Sequence, residues 1–153
     1  MGEGETREWR MFCAFELPEN LRLQLQDHIK KLRETVPEAS ASWSRPENAH
    51  LTLKFFGNVP PNQVAAISSA ISRAAREFSL FQIVVGAAGV FPNPSQGRVL
   101  WIGVSDPSGT LSALQQRVES ECESEGFPKE ERKFRPHLTI ARIRRPDGTR
   151  RLA

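Results

Sequence analysis

Cysteine is nearly missing from this sequence. Cys13 and Cys122 are the two present in 153 residues and lie far apart, so their spacing indicates neither a disulfide framework nor a paired-thiolate zinc site. Both read as small buried apolar residues. Long apolar runs are missing too: no stretch reaches the length of a membrane span, and Met1 to Arg10 is polar and mixed in charge, without a signal-peptide core. The cytoplasm is therefore the expected compartment, with no membrane partner. Nor is there a strong excess of one charge. Lys and Arg number 21 against 18 Asp and Glu, a formal net charge of +3, which tolerates an anionic ligand but falls short of the basic bias of a dedicated duplex binder. What remains is 39% hydrophobic and 25% charged, the composition of an ordinary globular chain rather than a disordered or fibrous one. A length of 153 residues suits one domain with a real core.

Periodicity divides the chain into strands and helices. Met11 to Leu17 reads as a buried strand rich in Phe, and Pro18, Glu19 and Asn20 suit a helix start. Leu21, Leu25, Ile29, Leu32 and Val36 form that helix's apolar stripe. Trp43 to Asn48 is loop-like, and His50 to Phe56 alternates as a strand that Gly57-Asn58 should stop. Pro60-Pro61 opens a second helix with Val64, Ile67, Ile71, Ala74 and Phe78 on one face. Leu80 to Val90 reads as a strand weakened at Gly86 and Gly89, Phe91 to Gly97 as a turn, and Val99 to Val104 as the other arm of a hairpin. Ser108 or Thr110 can cap a third helix bearing Leu111, Leu114, Val118 and Cys122 and ending near Gly126. A basic loop then leads to a last strand, His137 to Ile143.

Two stretches share one order: apolar strand, amphipathic helix, irregular loop, then a strand beginning His-Leu-Thr-aliphatic. Met11 precedes His50 by 39 residues and Val99 precedes His137 by 38, so the chain reads as a diverged duplication. In a strand, residues i and i+2 share a face, so His50 and Thr52 project together while Leu51 and Leu53 enter the opposite layer. His137 and Thr139 repeat this, with Leu138 and Ile140 behind them. Displacement at a phosphodiester needs a base for the nucleophile's proton and an acid for the departing oxygen. Two opposed imidazoles meet that need, because an ordinary histidine titrates near pKa ~6.5 and can hold either state at working pH. Two threonine hydroxyls can donate to the non-bridging oxygens. The scheme requires no metal and no other cofactor.

Five ordered blocks carry a family resemblance: Arg10-Met-Phe-Cys-Ala-Phe-Glu-Leu-Pro18, His50-Leu-Thr-Leu-Lys-Phe-Phe-Gly57, Gly89-Val-Phe-Pro92, Arg98-Val-Leu-Trp-Ile-Gly103 and Arg132-Lys-Phe-Arg-Pro-His-Leu-Thr-Ile-Ala-Arg142. Together they make the chain resemble the two-histidine phosphoesterase superfamily, in its LigT-like RNA 2′,3′-cyclic phosphodiesterase branch. The resemblance implies a bilobal α+β domain of duplicated strand-helix-strand units, with mostly antiparallel sheets lining a central cleft and helices outside. It implies conversion of an RNA or oligonucleotide 2′,3′-cyclic phosphate end to a 2′-phosphate, with His50 as proton donor to the leaving 3′ oxygen and His137 as the group that activates water. Thr52 and Thr139 would hold the phosphate. The two halves would run from about 10 to 97 and from 98 to 153. The second lacks a counterpart to Leu80 through Val90, where relatives continue for several tens of residues, so it reads either as a shortened version or as a truncated piece, and an exposed sheet edge or a dimeric contact could result.

Other residues have plainer readings beside the functional ones. Lys54 and Phe56 share the parity of His50, so Lys54 could reach the phosphate and Phe56 could stack on a base, although Phe56 also suits a core. Arg142 belongs to the family-like block, yet strict alternation puts it with Leu138 and Ile140, away from His137, unless a bulge or strand end re-aims it. His28 has no repeat partner and reads as structural. Lys129, Arg132, Lys133 and Arg135, with Arg142, Arg144, Arg145, Arg150 and Arg151, could guide an RNA backbone or simply be solvated. Trp43, Trp101 and Phe91 could stack on bases, but large aromatics in a domain of this size usually pack. No obligate protein partner is expected. Two rival readings keep the fold: a related 2′,5′-phosphodiesterase or ligase, and a nucleotide- or RNA-binding module without catalysis.

Overall fold

The computed structural model describes residues 7–35, 41–91 and 99–143. In chain order the elements are β1 (Trp9–Glu16), α1 (Glu19–Thr35), β2 (Ala41–Trp43), a 3-10 turn (Pro46–Asn48), β3 (His50–Val59), a second 3-10 turn (Pro61–Gln63), α2 (Val64–Ala75), β4 (Val84–Phe91), β5 (Val99–Ser105), α3 (Thr110–Ser124) and β6 (His137–Ile143). The class is α+β, as expected: β1 and β3 form one sheet, and β2-β6-β5-β4 form another, whose neighbouring strands all run antiparallel. The chain divides into two compact units, one drawn from Met1–Ala14, Thr52–Ile83 and Asp106–Arg135, the other from Phe15–Leu51, Val84–Ser105 and Pro136–Ala153. Each half of the sequence repeat contributes to both units.

In the first unit α2 and α3 pack together. Ile67, Ala70 and Ala74 are the buried residues of α2, and Leu111, Leu114, Val118 and Cys122 are buried along α3; small side chains on α2 let the two backbones approach. Phe78, expected on the α2 stripe, lies beyond that helix's end at Ala75, with Ala70 inside instead. The start of α3 also departs from expectation. Asp106, rather than Ser108 or Thr110 alone, accepts from the Leu111 amide at 2.8 Å and the Ser108 amide at 2.9 Å, with Gly109 turning the chain at φ +78°. The Ser108 hydroxyl and these amides hold the Asp106 carboxyl below the usual carboxylate range.

β1 is the clearest correction among the elements. Only Cys13 of this strand is buried, and Phe12 and Phe15 are exposed at 46% and 37%. In a two-stranded sheet one face suffices for the core, so the Phe-rich composition overstated burial. Phe12 meets Phe55 of β3 with ring centroids 6.2 Å apart. Both cysteines are free and buried, as read from the sequence, and burial, with Cys122 nearby, pushes the Cys13 thiol up to about 11. β3 does not stop at Gly57; it passes through that residue at φ +70° and continues to Val59.

The second unit is organised by its four-stranded sheet. Val90, Leu100, Ile102, Val104, Leu138, Ile140, Ala141 and Ile143 are its buried residues. α1 buries Leu25 and Ile29; Leu21 and Leu32 are half-buried, and Val36 lies outside the described residues. β2, whose last residue Trp43 opens the stretch expected to be loop, pairs Ser42 with Arg142 and Trp43 with Ala141. The predicted hairpin of β4 and β5 is present, but β4 starts at Val84, since Leu80 is fully exposed. The turn expected at Phe91 to Gly97 lies outside the described residues beyond Phe91.

Lys54 ties the first unit together. It is 1% exposed, with Nζ 2.9 Å from Glu119 Oε1 and donating to the Pro128 carbonyl at 3.0 Å, while Glu119 Oε2 accepts from the Glu130 amide at 2.8 Å. Lys54→Met leaves a buried carboxylate without its cation and should cost about 3–5 kcal/mol in urea denaturation. Replacing both partners, Lys54→Met with Glu119→Leu, should recover most of that loss, because no unpaired charge then remains inside.

Candidate active site

β6 presents His137 and Thr139 on one face and buries Leu138 and Ile140 on the other, the half-site, half-core division read from the sequence. The partner strand breaks that regularity further along. Leu100 of β5 pairs with Ala141 but Trp101 pairs with Thr139, so Ile140 is an extra residue with no opposite number. Such a bulge turns two successive side chains the same way, and Ile140 and Ala141 are both fully buried. Parity is thereby reset. Val99, Trp101 and Gly103 of β5 stand opposite Arg142, Thr139 and His137; as alternate residues of β5 they share one face, and so must the three residues they oppose. Arg142, which strict alternation assigns to the core face, is exposed beside His137 and Thr139. Ser42 of β2, opposite Arg142, joins the same face.

Two aromatic rings line that face against His137. Phe91 lies 5.2 Å from the imidazole, nearly perpendicular at 82°, and Trp101 lies 6.4 Å away at 61°. The two stack on each other at 5.1 Å and 30°. Sequence reasoning weighed both as base-stacking or packing residues and missed their contact with His137. The usable signal was the hairpin parity that places Gly89, Phe91, Val99, Trp101 and Gly103 on one surface.

β3 carries the other motif. His50 opens the strand, with Leu51 and Leu53 buried and His50 and Thr52 half-buried. His50 belongs to the same compact unit as β6, and Thr52 begins the stretch of β3 in the other unit. Strict alternation then fails here as in β6: Leu53 and Lys54 are both buried and Phe55 is exposed. Lys54, expected at the phosphate, is therefore corrected to an internal ion pair with Glu119. Phe56, half-buried, packs edge-on against Phe127 at 5.6 Å, with the Lys54 ammonium 5.4 Å from its ring centre. His28 is solvent-exposed on α1, and Trp43 is half-buried on β2. Arg132 and Lys133 are exposed on the loop before β6, as is Arg135, and Lys129 lies 3.9 Å from Glu123; Arg144, Arg145, Arg150 and Arg151 lie outside the described residues. Among the described residues no group of three or more His, Cys, Asp or Glu is placed to hold a metal ion, and no helix is long and apolar enough to cross a membrane.

Two strands thus begin His-x-Thr, and one of them shares that face with an arginine. Comparison with known proteins gives the pattern a lineage: the 2′-5′ RNA ligase superfamily matches residues 21–153, and the chain belongs to that family, in its LigT-like two-histidine branch. An RNA 2′,3′-cyclic phosphodiesterase of Methanothermobacter thermautotrophicus is 39% identical over 146 residues, covering 94% of this chain and 76% of the relative. One of Thermotoga maritima is 34% identical over 135 residues, covering 88% and 70%. Among solved structures, TT0787 of Thermus thermophilus superposes with a TM-score of 0.78 at 27% identity, covering 90% of this chain and 76% of that one.

The reset parity of β6 has a measurable consequence. Arg142→Ala removes an exposed side chain and should leave the urea midpoint within about 0.5 kcal/mol of the parent. The same change should weaken inorganic phosphate binding, read by calorimetry, by roughly 10- to 100-fold, the worth of a charge-assisted contact.

Proposed function

We propose that this chain hydrolyses the 2′,3′-cyclic phosphate at an RNA or oligonucleotide end to a 2′-phosphate, by acid/base catalysis between His50 and His137 without a metal. The observation that carries it is the repeated His-x-Thr strand start, with Arg142 turned onto the face of His137 and Thr139 by the extra residue in β6. The family and the activity named for its relatives, most of whose length the chain spans, support the same reading.

The chemistry balances on these side chains alone. His137, neutral, takes a proton from water as the water oxygen bonds to phosphorus, and the bond from phosphorus to the 3′ oxygen breaks in line with that attack. His50, protonated, gives its proton to the departing 3′ oxygen. The resulting imidazolium and neutral imidazole exchange one proton with solvent to return to their starting states. Thr52 and Thr139 hydroxyls donate to the non-bridging oxygens, where charge builds in the transition state. Arg142 adds a fixed cation to the same oxygens and orients the ester.

A 2′,3′-cyclic nucleotide incubated with the protein in excess chelator should give a single 2′-phosphate resonance by phosphorus NMR, at a rate the chelator does not change. His50→Ala and His137→Ala should each lower kcat by roughly 100- to 10,000-fold. Undiminished turnover in either variant would sink the assignment. Binding of the nucleotide with no turnover by the parent protein would instead identify a binding module.

A further inference from the structure

His137 is flanked by an indole that has an unusual seat. Trp101 stands opposite Gly89 of β4, and a methyl group built on Gly89 would come within 2.2 Å of its Cζ2, 2.6 Å of its Cη2 and 2.7 Å of its Cε2. On the same strand as the indole, two residues on, a methyl at Gly103 would stand 3.3 Å from Cζ3 and 3.0 Å from the Gly86 carbonyl oxygen. The ring therefore lies across a trough that two side-chain-free positions leave open. Gly103 is also the residue opposite His137, so nothing from β5 at that position fills the space between indole and imidazole. Phe91 stacks on the indole and meets the imidazole edge-on.

We propose that Trp101, backed by Phe91 and seated on Gly89 and Gly103, is a positioning residue that fixes the orientation of the His137 imidazole. The inference rests on the reading of His137 as an acid/base group. The second side-chain torsion of histidine has a broad, shallow energy profile, whereas proton transfer demands an orientation held within about 10–20°. Two aromatic rings at steep angles to the imidazole supply that restraint through packing. The indole Nε1–H is buried without a hydrogen-bond partner, a destabilising arrangement. What the position uses is therefore the packing surface of an aromatic ring seated over the Gly89 trough, not the indole N–H.

Three substitutions test it. Trp101→Leu removes the wall, Gly89→Ala displaces the indole without altering it, and Trp101→Phe keeps a ring in place. The first two should lower kcat on a 2′,3′-cyclic nucleotide roughly tenfold or more with KM within about twofold, as for a lost orientation rather than lost binding; Trp101→Phe should restore most of kcat. If Trp101→Leu does not fold, judged by its urea transition, Phe91→Leu takes its place with the same expectation. Parent-like kcat in a folded Trp101→Leu or in Gly89→Ala overturns the proposal. The His137 ring protons give a readout independent of turnover: aromatic ring currents should shift them in the parent, and both disruptive variants should return them toward free-histidine values. A parent protein that turns over no cyclic phosphate defeats the functional reading, while shifts that persist in both variants defeat the positioning role.

Discussion

Opposite Leu100 and Trp101 of β5, strand β6 carries three residues, Thr139, Ile140 and Ala141, and the surplus one turns the rest of the strand by half a pleat. The consequences run in both directions from that point. Toward the core, Ile140 and Ala141 are buried in succession, which a regular strand could not achieve without exposing one of them. Toward solvent, Arg142 rejoins the face of His137 and Thr139, across from Ser42 on β2. A guanidinium that would otherwise enter an apolar layer, at a desolvation cost no partner there offsets, is made available for an anion instead. Bulges recur beside active sites because they re-aim a side chain without changing the sheet's order.

The first unit solves a related problem with charge. Lys54 follows His50 by the same interval that Ala141 follows His137, and both are fully buried. Alanine needs nothing further, whereas an ammonium does: Glu119 of α3 and the Pro128 carbonyl provide it, and Gln115 Nε2 reaches the Leu53 carbonyl at 3.5 Å from the same helix. The β3 motif strand is thus registered on α3 by groups that tolerate little sliding. The more open pairs of Arg73 with Glu121 and Glu125, and of Arg117 with Glu77 and Glu121, contribute less, being better screened by water.

The sequence made the motifs, the class and most elements legible because those signals are local. His50, Thr52, His137 and Thr139 stand out through a repeated string, and α2, α3 and β6 through periodicity within one segment. What it concealed depended on partners distant along the chain. β2 exists because β6 offers it an edge, and no propensity of Ala41–Trp43 announces that. Burial of Lys54 needed Glu119, 65 positions later, and the Arg142 correction needed the register of β5. Phe-rich β1 misled for the converse reason, since apolar composition states a capacity for burial and only the neighbouring layer decides its use.

The two motif strands then prove more alike than their sequences. From the histidine onward both run half-buried, buried, half-buried, buried, buried, exposed, so the departure from alternation at the fifth residue belongs to both copies rather than to one. In β6 the exposed sixth position is Arg142, and in β3 it is Phe55, 58% exposed and in contact with Phe12. The shared burial order extends the likeness of the two strands past the His-Leu-Thr string to residues with nothing chemically in common. The difference between the two strands then lies in what each sixth position displays: a cation in one and an aromatic ring in the other.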